Sequence, residues 1–172
     1  MRRTRWLVTS VLSVLVFVVS AWAETPWESY LAHPVPENAD RVAEISYTEG
    51  KYDLTRIDQD LMLLEVQMVA ADSSAVDLAF RLKADGYVGQ TVSEMLGSLI
   101  RVNPRLFLQV LQRNRSTVVR LDSLVGGFGP AYVDRERAQN YERDQRLAAL
   151  LSVNDPALVK VRDECVAILR EK

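Results

Sequence analysis

From residue 53 onward, the apolar residues of this chain return every three or four positions. Ile57, Leu61, Leu64, Met68 and Ala71 follow i, i+4, i+7, i+11 and i+14, one face of a long helix that starts at Asp53 or Thr55 and runs to Ala71. Met62, Leu63, Val66 and Val69 fill much of the remaining circumference. A helix apolar nearly all round is buried on several sides. The pattern therefore predicts that this is the central helix of the fold.

Similar stripes follow. Asp72, Ser73 and Ser74 offer N-cap side chains for a helix over residues 75–84, on which Val76, Ala79, Phe80 and Lys83 share a face. Gly86 suits the left-handed position that closes it. Val88, Val92, Met95, Leu96, Leu99 and Ile100 mark a helix over about residues 90–101. Asn103-Pro104 is a cap followed by a proline with no donor to lose, and it opens a helix carrying Leu106, Phe107, Val110 and Leu111. Residues 113–116 break that helix, and residues 118–125 form a short one. Residues 126–130, Gly-Gly-Phe-Gly-Pro, are the clearest loop in the chain. A polar helix over residues 134–152 reads as a solvated face, with Glu142 and Arg146 in the acid-first i,i+4 order. Asn154-Asp155-Pro156 repeats the cap-and-proline start for a last helix to about Arg170.

No segment alternates with period two, so the fold class is all-α. Short connections between helices predict antiparallel neighbours, arranged as an α-α superhelix or a compact multi-helix bundle. Residues 24–38 hold Pro26, Pro34 and Pro36 and read as an extended arm that packs Trp27 and Tyr30 on the domain. Residues 39–172 form a single helical domain. It begins with a short helix from Asn38 or Asp40 to Ile45 and a turn at residues 49–51.

The N-terminus is a different object. Arg2, Arg3 and Arg5 precede a 14-residue apolar stretch from Trp6 to Val19, and Ala21-Trp22-Ala23 fits a small-residue cleavage site. Residues 1–23 read as a secretory signal peptide, which makes the chain exported, periplasmic or secreted, with no membrane span after cleavage. The whole chain has 21 basic and 23 acidic side chains and a net charge of −2. The 149 residues beyond the leader carry −5. That acidic balance argues against a nucleic-acid partner. Cys165 is the only cysteine, so no intramolecular disulfide forms and the apolar core must hold the domain.

The paired amphipathic helices of residues 72–114, with their Asp-Gly and Asn-Pro connections, resemble HEAT/armadillo-type helical repeats. In such families stacked helix pairs form a right-handed superhelix whose inner face binds protein partners. The two proline starts lie 52 residues apart, longer than a usual repeat. The chain also resembles small exported bacterial helical proteins of unknown function, and neither likeness implies catalytic residues.

Counting removes most chemistry. His33 is the only histidine and sits in the proline-rich arm, which leaves no Ser-His-Asp or Cys-His relay. The Cys/His ligands of a zinc site are missing, and no phosphate loop, EF-hand or haem-attachment motif is present. The sequence implies no cofactor, no metal and no catalytic residue. Cys165 shares a face with Leu158, Val161 and Ile168 and reads as a small core hydrophobe.

Two features remain. Glu65 is the lone acid among residues 61–71. Either it is a buried acid with a raised pKa, suited to proton donation with Asp58 on nearly the same face, or it points outward or pairs with Arg81 or Arg101. The glycine loop is the candidate binding feature: Gly126, Gly127 and Gly129 permit positive φ and close approach, Phe128 stands at its centre, and Tyr132 and Arg135 follow. Phe128 either projects to a partner or plugs the core. Arg113, Arg115 and Arg120 upstream and Arg137 downstream give the loop a basic rim. The sequence thus points first to an exported, non-enzymatic helical interaction module that binds a protein or peptide. The alternatives are a carboxylate-dependent hydrolase of an envelope polymer, and an inhibitor or immunity protein whose acidic charge blocks an enzyme.

Overall fold

The computed structural model of the protein describes residues 24–47 and 53–171; the expected signal peptide over residues 1–23 and the expected turn at residues 49–51 lie outside them. The fold is all-α. Among the described residues there are nine α-helices and no strand, with one isolated bridge between Tyr47 and Ala84. The helices are α1 (Pro26–Ala32), α2 (Pro36–Ala43), α3 (Leu54–Val69), α4 (Ser73–Arg81), α5 (Gly86–Val102), α6 (Pro104–Asn114), α7 (Leu121–Gly126), α8 (Glu136–Leu151) and α9 (Val159–Glu171).

The arm differs from its expected extended form. Residues 26–32 and 36–43 are helices α1 and α2. Pro26 and Pro36 each take the first helical turn, where a missing N–H costs nothing. Thr25 completes a capping box: its hydroxyl accepts from the Glu28 amide at 3.2 Å, and the Glu28 carboxylate accepts from the Thr25 amide at 2.8 Å. The prolines mark starts, not extended chain. The arm does pack its aromatics inward. Trp27 and Tyr30 are fully buried, edge to face, and the Trp27 indole donates to the Tyr47 hydroxyl at 2.7 Å.

Cap residues fix four further starts, whereas α5, α7 and α8 begin without a side-chain cap bond. Asp53, Asp72, Asn103 and Asp155 each accept from a backbone amide two or three residues ahead, at 3.0, 2.8, 3.1 and 3.1 Å. Gly86 has the positive φ expected of it, but it opens α5 instead of closing α4. The α4 helix ends on extended backbone at Leu82.

Packing runs stepwise along the chain, mostly between helices one to three places apart, consistent with a helical-repeat-like fold. The helix at the centre is α5, which packs on α3, α4, α6, α7 and α8. This corrects the expectation for α3. Its Ile57, Leu61, Leu64 and Met68 are buried, but Met62, Leu63, Val66 and Val69 are exposed. A contiguous core includes Leu96, Ile100, Phe107, Leu108 and Leu111 from α5 and α6. Cys165 lies within it on α9, and burial pushes its thiol pKa from the ordinary 9 to about 12.

Candidate functional site

The site is built around a side chain that its own sequence context disguises. α8 is the most polar helix, yet Arg146 is only 2% exposed and Glu142 only 3%. Arg146 projects from α8 onto α5 at Gly97. A Cβ at Gly97 would stand 2.7 Å from a terminal guanidinium nitrogen, so glycine is the residue that leaves room for it. The guanidinium then donates to the carbonyls of Val125 and Gly127, both at 2.9 Å, at the C-terminal end of α7. Its other side faces the Phe128 ring, 4.9 Å from the centroid. Glu142 accepts from it at 3.0 Å and is also 3.3 Å from half-exposed Arg101. Burial lowers the Arg146 pKa, and the hydrogen bond and charge of Glu142 oppose that shift. A buried cation this well bonded orients the backbone it holds.

What it holds is the glycine loop. Gly126 is the buried last residue of α7. Gly127 donates to Ser123 O at 2.8 Å, and a Cβ there would collide with that same carbonyl oxygen. Gly129 has φ +82° and lies against the Glu94 carboxylate. Phe128 is half-buried and tilts against Tyr132 with centroids 6.1 Å apart. Tyr132 is also half-buried, in a short 3-10 turn over Pro130–Tyr132, and its carbonyl accepts from Gln139 at 2.8 Å. Arg135 is exposed at the N-terminal end of α8. Gly127 and Gly129 thus leave no room for a Cβ, against Ser123 O and the Glu94 carboxylate, and the loop turns a tight corner there.

This corner walls two cavities. On one side lies a trough of about 720 Å³, between the α4 end and α5 on one bank and residues 117–129 on the other. Its apolar lining includes Phe80, Leu82, Val92, Val118 and Leu124, with Asp85, Glu94 and Arg120 as its charged groups. It continues into a second cavity of about 710 Å³ towards α2, sharing Phe80, Leu82, Ala84, Asp85 and Thr117. On the far side of the corner is a smaller hollow of about 400 Å³ bordered by Phe128, Gly129, Tyr132 and Arg143. Of the expected basic rim, Arg120 lines the trough, whereas Arg115 is drawn to Glu164 of α9 at 2.9 Å.

Of the two readings of Glu65, the structure gives the outward one: Glu65 is exposed on α3 and is not a buried acid. Asp58 is exposed as well and accepts from the Tyr87 hydroxyl at 3.0 Å. His33 is exposed at the end of α1. Among the described residues no group of three His, Cys, Asp or Glu side chains is placed to hold a metal, and no helix is long and apolar enough to cross a membrane. Sequence reasoning missed Arg146 and Gly97. The signal was present as a glycine inside the apolar stripe of α5, where its roughly 1 kcal/mol cost relative to alanine calls for a packing reason. Compared with known proteins, the chain matches no family model, no curated protein and no solved structure.

Proposed function

We propose that this chain is an exported, non-enzymatic interaction module whose helical-repeat-type scaffold binds a protein or peptide segment in the trough beside the glycine corner. One observation carries the reading: the trough is long, open, floored by apolar side chains and walled by a backbone corner that Arg146 holds in place. A preformed wall lowers the ordering cost of binding. The charged groups along the trough suit a segment that places apolar side chains on the floor and polar groups at the rim. The basic, apolar leader supports export to the periplasm or beyond. The hydrolase alternative loses its support with the exposure of Glu65.

The test is a peptide library displayed on phage and panned against the purified protein. Convergent sequences are expected, and their affinity should fall at least tenfold with Val119→Asp. Val119 is 93% exposed on the trough rim, so this change leaves folding intact. Absence of convergence, or binding indifferent to Val119→Asp, contradicts the proposal.

A further inference from the structure

We propose that the outer face shared by α3 and α5 is a second docking surface, one that takes a basic amphipathic helix from a partner protein. Met62, Val66 and Val69 stand 58%, 62% and 58% exposed in one row along α3. They lie at i, i+4 and i+7 and rise about 10 Å along the helix. Tyr87 and Val102, at opposite ends of α5, are exposed as well, Tyr87 against Asp58 of α3 and Val102 across a small hollow from Val69. Large apolar side chains gathered on one face, not scattered singly, mark a contact surface.

Shape and charge choose the occupant. Between α3 and α5 is a dimple of about 20 Å³, bordered by Glu65 and Val69 from one helix and Ser98 and Val102 from the other, with Met68, Met95 and Leu99 beneath. Each bordering pair is four residues apart on its helix. The dimple is a small apolar hollow in the groove between two helices, where a side chain of a third helix can pack. The spacing of Met62, Val66 and Val69 matches the i, i+3/i+4, i+7 anchors by which an amphipathic helix engages a surface. Both charges along the α3 edge of this face are carboxylates, Asp58 and Glu65. A second copy laid on the same face would bring its own two carboxylates against these. A partner helix flanked by lysine or arginine gains complementarity instead.

The probes are two designed 18-residue amphipathic helices of identical apolar face, one with lysine and one with glutamate on its polar face. Binding to the purified protein is measured by titration calorimetry. The Leu/Lys helix should bind and the Leu/Glu helix should not. Val66→Asp and Glu65→Lys should each weaken the Leu/Lys helix at least tenfold, and Val119→Asp on the trough rim should leave it unchanged. Both substituted α3 residues are exposed, so the fold is retained. Failure of the Leu/Lys helix to bind, equal binding of the two probes, or indifference to Val66→Asp overturns the proposal. So does a loss caused by Val119→Asp alone, which places the helix in the trough. A dimer in sedimentation that Val66→Asp dissociates would make a second copy the occupant and overturn it as well. The trough proposal stands or falls separately, since it depends on Val119 and not on Val66.

Discussion

α8 and α3 exchange the roles their compositions suggest. The polar α8 puts a guanidinium and a carboxylate into the interior, at Arg146 and Glu142. The apolar α3 turns Met62, Val66 and Val69 to solvent. Composition reports how much apolar surface a helix has, and position in the packing decides how much of it is covered. Among the described residues α5 has neighbours on most of its sides, whereas α3 packs chiefly on α1, α4 and α5. Polar atoms enter the core where bonding partners wait for them, as the Val125 and Gly127 carbonyls wait for Arg146. Apolar atoms remain outside on the side of α3 turned away from α1, α4 and α5.

Substitutions sharpen the contrast. Arg146→Ala leaves Glu142 buried without its closest cation and frees two carbonyls. It should cost about 3–5 kcal/mol in urea unfolding. Arg146→Met combined with Glu142→Leu should cost much less, because no uncompensated charge remains. Gly97→Ala pushes a methyl to 2.7 Å from the guanidinium and should cost about 1–3 kcal/mol. Its effect should largely vanish in an Arg146→Ala background, as coupled neighbours require.

Alkaline pH probes the core from α9. The Cys165 thiol is raised to about 12 when folded, so its protonated form favours the native state. Its contribution is complete below the ordinary value of 9 and is lost as pH rises towards 12. Stability should fall by about 1 kcal/mol per pH unit in that window, and Cys165→Ala should flatten the slope. At neutral pH a thiol reagent should label Cys165 only on unfolding.

The exposed positions should barely respond. Arg56→Ala removes a half-exposed ion pair to Glu28 at 2.7 Å and should cost about 0.2–1 kcal/mol. Val66→Asp should stay within about 0.5 kcal/mol of wild type, as expected of a surface residue. A loss of several kcal/mol there would mean that α3 is core after all.

Much of the fold was readable in the chain because helix caps and stripes are local. Asp53, Asp72, Asn103 and Asp155 cap where their side chains and the following apolar period place them. The proline arm was misread because proline both blocks propagation and favours the first turn, and only tertiary context separates the two. At Trp27 and Tyr30 that context is burial against the domain. The position of the glycine loop was legible, but its mechanical character was not. Its carbonyls are held by Arg146, about twenty residues away, and its Gly129 lies against Glu94 of another helix; neither neighbour leaves a periodic trace. Glu142 and Arg146 carried the spacing of a surface pair, and that spacing is indifferent to what packs above it.

Amide hydrogen exchange at Gly127 tests the fixed corner most directly. Its amide donates to Ser123 O, and its carbonyl accepts from Arg146. The account predicts exchange only through openings close in free energy to global unfolding, and at least tenfold faster exchange in Arg146→Met. Exchange of Gly127 in the wild type at the rate of an unstructured glycine would show a mobile loop and contradict the preformed trough wall.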